Sequence, residues 1–136
     1  GATTPEMRDT RIHPQLKEQA CGTYHGEPLA DGAGWRIAFF HLDNVDLELI
    51  EPVDGPTVWS EVLETQGPVM HHISFEVANA DGVLATLEDT GYPTVQRSVR
   101  SVGTPAGYAD ARADLGVLLE ILGTPPSDQS SRELFL

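Results

Sequence analysis

Three residues of this chain combine donor types that bind divalent metal ions. Glu48 and Glu120 occupy the same position in two similar stretches, VDLELI and VLLEIL, and His72 belongs to MHHISFEV. Two carboxylates and one imidazole form a hard-to-borderline donor set that suits Zn, Mn, Co, Ni, Fe or Mg. The pattern predicts a divalent-metal site made of Glu48, His72 and Glu120, provided that the fold brings them together.

Strand alternation decides whether these side chains can face one another. In each of the three stretches one set of alternate residues is mainly apolar, and the opposite set contains Glu48, His72 or Glu120. We expect helices at 57–66 and 80–90 to cover the apolar faces, so that the three polar side chains share a concave inner face. A carboxylate between two leucines, as Glu120 is, is costly unless it is paired, protonated or metal-bound. The alternative is that both glutamates lie on a solvated sheet face and never meet.

The elements that would position these residues form an α+β chain of two related halves. The second half reads strand, helix, strand, strand, strand, and the first half ends in the same strand hairpin. We divide the chain into an irregular N-terminal arm (1–21), a domain (22–123) and a C-terminal tail (124–136). Within the domain we place a partial first module with a linker helix at 22–66 and a second module at 70–123. The predicted strands are Thr23–His25, 35–42, 45–52, 70–77, 94–100, 107–111 and 116–122, and the helices are those at 57–66 and 80–90.

Composition excludes several classes of function. The 136 residues carry a formal net charge of −13, so the surface repels nucleic acid and anionic membranes. No apolar run approaches the ~20 residues that span a bilayer. The single cysteine, Cys21, gives no disulfide framework and predicts a cytoplasmic protein. An anionic ligand would need a local cation, either a metal ion or arginines such as Arg97, Arg100 and Arg112.

At these residues the sequence resembles the vicinal oxygen chelate (glyoxalase) superfamily, and most of all its methylmalonyl-CoA epimerase and lactoylglutathione lyase-like branch. The resemblance lies in DNVDLELIEPVDGPTVWSEVLETQGPVMHHISFEV and in DLGVLLEIL, and it extends over residues 22–123. It implies paired βαβββ modules that form a cupped, mostly antiparallel sheet around one metal ion. It also implies that the first module here lacks its first strand and helix.

The resemblance assigns ligands residue by residue. The last strand of the first module offers Glu48, the first strand of the second module offers His72, and the last strand offers Glu120. The family's fourth ligand is a histidine on the first strand of module one. His72 precedes Glu120 by 48 residues, and the same offset before Glu48 falls outside the sequence. Three explanations for the missing strand and ligand stay open: they lie in upstream sequence, the strand has been lost naturally, or a partner chain supplies them. His13 is a weak candidate for a substitute fourth ligand. His71 is expected on the helix side as a structural, hydrogen-bonded histidine.

The resemblance implies a metal-dependent isomerase or lyase that acts beside a carbonyl or thioester, with Glu120 as ligand and base. The substrate would be a small molecule, including a CoA or glutathione thioester, and the protein would be a homodimer. A second hypothesis is a metal-free protein of the same fold that binds or sequesters small molecules with aromatic side chains such as Trp35, Trp59 and Tyr108. A third is that the chain without its first strand is inactive.

Overall fold

The computed structural model describes residues 6–11, 22–100 and 102–126. The strands and helices in these residues follow the order of an α+β fold in which hairpins and helices alternate. The strands are β1 (Glu6–Arg11), β2 (Thr23–Tyr24), β3 (Glu27–Pro28), β4 (Gly34–His41), β5 (Asp46–Asp54), β6 (His72–Val77), β7 (Thr94–Val99), β8 (Pro105–Asp110) and β9 (Leu118–Gly123), and the helices are α1 (Val58–Gln66), α2 (Ala80–Asp89) and α3 (Arg112–Leu115).

The strands form two sheets with related topology. The first sheet has the order β1-β4-β5, and the second has the order β3-β2-β7-β8-β9-β6. All pairs of the described strands are antiparallel except β6 and β9, which run parallel; a parallel pair needs a long crossover connection, and α2, β7, β8 and α3 supply it here. The second module is therefore strand, helix, strand, strand, strand, and β1-β4-β5 repeats its β7-β8-β9. Among the described residues, no strand occupies the place beside β5 that β6 occupies beside β9.

Helix α2 covers the outer face of the second sheet. Its Leu84 is fully buried and packs with Ala109 and Ile121. Gly107 on β8 permits this close approach, because a Cβ atom there would lie 2.8 Å from the Leu84 Cδ1 atom. The matching outer face of the first sheet is open in the described part of the chain, where Leu47 and Leu49 are 49% and 52% exposed.

Helix α1 begins with a reciprocal capping box. The Thr57 hydroxyl accepts from the Ser60 N–H, and the Ser60 hydroxyl accepts from the Thr57 N–H. The helix places Val58, Trp59 and Val62 in a core with Tyr108 and other inner-face residues. This core lies on the same sheet face as Glu120, because Tyr108 pairs directly opposite it across β8 and β9.

Two expectations from the sequence are wrong. The arm is not wholly irregular, because Glu6–Arg11 forms β1 and pairs with β4. The helix at 57–66 exists but covers the inner face rather than the outer one, since Trp35 and Ile50 make that end of the inner face apolar. The other predicted strands and helices are confirmed to within a few residues. The domain limits at 22 and 123 stay a prediction.

None of the helices that the structure describes is long and apolar enough to cross a membrane.

Candidate metal centre

Three strands bring the predicted ligands to one point on the inner face. Glu48 lies on β5, His72 begins β6, and Glu120 lies on β9. The Nε2 atom of His72 is 3.0 Å from the Glu48 Oε2 atom and 3.5 Å from the Glu120 Oε2 atom. One ligand atom from each residue lies within 4.8 Å of the other two. The alternative that the glutamates never meet is therefore wrong.

All three side chains are largely shielded from solvent. The exposed fractions are 8% for His72, 16% for Glu48 and 12% for Glu120. Burial raises the pKa of Glu120, the neighbouring His72 opposes that change, and the charge of Glu48 adds to it. Two shielded carboxylates this close repel each other, so the group favours a cation between them.

Glu120 is held by two hydroxyl groups. The Ser74 hydroxyl donates to the Glu120 Oε2 atom from the directly opposite position on β6. Tyr108 lies directly opposite Glu120 on the adjacent strand β8 and forms a hydrogen bond with it. The pKa of Tyr108 is raised well above its usual value by burial, by the charges of Glu120 and Glu48 and by this hydrogen bond. Ser74 and Tyr108 were not predicted as parts of the site. Ser74 lies on the same face of β6 as His72, whereas β8 carries no predicted ligand, and only the register between strands shows that Ser74 and Tyr108 adjoin Glu120.

His72 is fixed through both ring nitrogens. Burial lowers its pKa, but the hydrogen bond to Glu48 and the charges of Glu120 and Glu48 outweigh burial, so the pKa of His72 is raised. Its Nδ1 atom lies 3.0 Å from the Nδ1 atom of His71. Burial, reinforced by the charge of His72, lowers the pKa of His71 to about 4.

The expectation that His71 lies on the helix side, the outer face opposite His72, is wrong. Its ring centroid is 4.5 Å from that of His72, on the same side of the chain. Strand alternation does not apply, because β6 begins at His72 and His71 precedes it. The expectation that His71 is hydrogen-bonded is confirmed.

The residues present fit a divalent cation. Bonds of ~2.0–2.2 Å to oxygen and nitrogen place two ligand atoms of one ion ~3–3.5 Å apart, and the two separations from His72 have these values. Three protein ligands leave coordination positions free, which is the pattern of catalytic rather than structural sites. His13 lies outside the described residues.

Each of the three arginines named from the sequence has polar partners of its own. Arg97 pairs with Asp81 at 3.1 Å, and Arg100 donates to the Gly123 carbonyl at 2.9 Å. Arg100 also pairs with Glu76 at 3.5 Å, and Arg112 pairs both with Asp110 and with Glu61 on α1. Because each arginine is engaged with separate groups of the chain, the three do not form a common anion site.

Comparison with known proteins decides the family. Residues 12–109, more than half of the chain, match the family described as the glyoxalase/bleomycin resistance protein/dioxygenase superfamily. The chain belongs to this superfamily. It is also 33% identical over 95 residues to the uncharacterized protein YqjC of Bacillus subtilis (strain 168), a match that covers 68% of this chain and 67% of that protein.

Solved structures of the superfamily share the fold. A methylmalonyl-CoA epimerase from Mycobacterium tuberculosis superposes with a TM-score of 0.53 at 20% identity, over 68% of this chain and 64% of that one. A Streptomyces coelicolor methylmalonyl-CoA epimerase variant in complex with 2-nitronate-propionyl-CoA gives 0.55 at 23% identity, over 68% and 71%. At these identities the likeness shows the cupped α+β fold of the superfamily and leaves the substrate to the site itself.

Proposed function

We propose that this superfamily member is a divalent-metal-dependent isomerase or lyase that acts on the carbon next to a carbonyl or thioester. The observation that carries the proposal is the convergence of Glu48, His72 and Glu120 within 4.8 Å on one shielded face. A divalent cation held there would stabilise the negative charge that develops on a carbonyl oxygen when the α-proton leaves.

The chain's own residues supply the proton transfer. Glu120 is the candidate base, because burial in the metal-free protein raises the pKa of its carboxyl group above the usual value, which makes the carboxylate a better proton acceptor. Ser74 and Tyr108 hold this carboxyl group in a fixed orientation, so that little reorganisation accompanies the transfer. Glu48 is the corresponding carboxylate on the opposite sheet.

The metal-free binding protein is the less favoured alternative. Its aromatic groove would require free aromatic surfaces, but Trp59 and Tyr108 are 7% and 4% exposed. Their rings pack edge to face with centroids 5.6 Å apart, and Trp35 lies against Trp59 at 4.6 Å. These residues are used in the core between α1 and the sheets.

Substrate and assembly belong to the proposal as well. Relatives of the same fold include epimerases named for methylmalonyl-CoA, which supports a test with CoA and glutathione thioesters. The open outer face of the first sheet, with Leu47 and Leu49 half exposed, supports a homodimer or a further chain segment at that face. A cytoplasmic location is retained as a prediction.

The direct test measures metal and proton exchange together. Protein purified without chelator is analysed for first-row metals, and methylmalonyl-CoA is incubated with it in D2O to detect deuterium at the α-carbon. We expect stoichiometric metal that is lost in Glu120→Gln, and exchange that depends on that metal. Absence of metal, with no thermal shift from Mn²⁺, Co²⁺, Ni²⁺ or Zn²⁺, would refute the enzyme and favour the metal-free binding protein.

A further inference from the structure

We propose that His71 is a positioning residue for His72, whose Nδ1–H donates to the Nδ1 atom of His71. This inference rests on the proposed metal site, and it assigns a role to a residue outside the ligand set. The hydrogen bond would hold the His72 ring so that its Nε2 atom faces Glu48 and Glu120.

The geometry places the two rings for this contact. The Nδ1 atoms are 3.0 Å apart, and the ring planes are inclined by 42°. The opposite ring nitrogen of His72 lies 3.0 Å from the Glu48 carboxylate. Both ring nitrogens of His72 therefore have partners: the carboxylates lie at Nε2, and His71 lies at Nδ1.

The direction of the hydrogen bond follows from counting protons. A neutral imidazole carries one N–H, and a His72 ring that binds a cation through Nε2 must carry that proton on Nδ1. Two facing Nδ1 atoms can share only one hydrogen. His71 must therefore be the acceptor and carry its own proton on Nε2.

The backbone fixes His71 in this place. Its carbonyl oxygen accepts from the Leu118 N–H at 2.8 Å, so the residue is tied to the start of β9. Tyr108 also contacts His72, but with ring centroids 5.5 Å apart at 83° this is an edge-to-face packing contact. Partners of this kind orient a ligating histidine, and their loss typically weakens metal binding 10- to 100-fold.

The experiment compares His71→Leu, which removes the acceptor, with His71→Asn, whose Oδ1 atom replaces Nδ1. Zn²⁺ titration calorimetry gives the affinities, and ¹⁵N-edited NMR of the zinc-loaded wild type gives the histidine tautomers. His41→Leu is the matched control, because His41 is 50% exposed and bonds to Asp46. We expect a 10- to 100-fold loss for the leucine variant, near-wild-type affinity for the asparagine variant and the control, and a proton on Nδ1 of His72.

The outcomes separate this inference from the proposed function. Wild-type protein that binds no Zn²⁺, Mn²⁺ or Co²⁺ would refute the metal site and, with it, the role of His71. Binding by the wild type that is unchanged in His71→Leu would refute the role of His71 alone. Should that variant not fold, the tautomers decide: a proton on Nε2 of His72, or on Nδ1 of His71, in the zinc-loaded protein overturns the inference.

Discussion

Replacing Glu120 by glutamine should stabilise the metal-free protein and abolish its stabilisation by metal. The side chain keeps its shape and can still accept from Ser74, but it loses a shielded negative charge beside Glu48. Burial raises the pKa of Glu120 in the folded state, so the ionised carboxylate opposes folding. The advantage of glutamine should be absent at acid pH and grow as the pH rises above the ordinary carboxyl range and through the raised pKa of Glu120.

The magnitude of the metal effect can be worked out in advance. A ligand at 100 times its dissociation constant stabilises the folded state by about 2.7 kcal/mol. For a chain of 136 residues, 1 kcal/mol corresponds to about 3–5 °C in Tm, so saturating metal should raise the Tm of the wild type by about 8–13 °C. Glu120→Gln, with two of three ligands left, should show almost none of this shift.

The assay is thermal unfolding with chelator and with Mn²⁺, Co²⁺ or Zn²⁺, for the wild type, Glu120→Gln and a matched control. Glu51→Gln is a suitable control, because Glu51 lies on the same sheet as Glu48, is 64% exposed and pairs with Arg36. The control should respond to metal as the wild type does. A metal-free Glu120→Gln protein that melts below the wild type at neutral pH would refute the reasoning about the buried charge.

Further predictions concern pH and hydrogen-bond partners. The raised pKa of His72 stabilises the metal-free fold below its unfolded value of 6.5, and thermal unfolding between about pH 6 and pH 9 should show this contribution disappear as the pH rises. Metal affinity, measured by calorimetry over the same range, should increase with pH, because the ligating imidazole must be neutral. Ser74→Ala should raise the metal dissociation constant about 10- to 100-fold in the same titrations, because the buried carboxylate loses a donor. Glu61→Leu should lower the free energy of unfolding in urea by about 1–3 kcal/mol, because Tyr24 and Arg112 lose their common acceptor.

Control variants accompany the predictions for His72, Ser74 and Glu61. His72→Leu should lack the pH-dependent stabilisation that His72 gives to the metal-free fold. If the wild type and His72→Leu showed the same dependence of Tm on pH, the prediction for His72 would be contradicted. Ser98→Ala, on strand β7 of the same sheet but not adjacent to β6 or β9, should leave metal affinity unchanged. Glu64→Leu, at an exposed position one turn along α1, should cost less than Glu61→Leu, and equal losses would show that the hydrogen bonds of Glu61 do not stabilise the fold.

Local patterns were sufficient to predict most elements and the three candidate ligands. The period of two in VDLELI, MHHISFEV and VLLEIL placed Glu48, His72 and Glu120 on one face because alternation is a property of each strand alone. Strand β1 was missed, because EMRDTR has one apolar residue and no alternation; its pairing with β4 depends on the backbone partner rather than on its own pattern.

Long-range packing could not be predicted from those patterns. The apolar stripe of α1 showed that one face would be buried, but not against which side of a sheet. Trp59 fits between Trp35 and Tyr108, residues 24 and 49 positions away, and that contact puts the helix on the inner face. His71 was misplaced for a different reason, since the alternation rule was extended one residue beyond the start of β6.

The placement of α1 bears directly on the candidate metal centre. His72 and Glu120 belong to one sheet, whereas Glu48 comes from the other, so the third ligand is in place only when the two sheets are held together. The linker helix makes that connection: the Val58 N–H donates to the buried Gln96 side chain on β7 at 2.8 Å, and Trp59 bridges the aromatic residues of both sheets. A metal ion bound by all three ligands would therefore stabilise the same arrangement that α1 stabilises, and the affinity for metal would report on the packing of the linker helix as well as on the ligands.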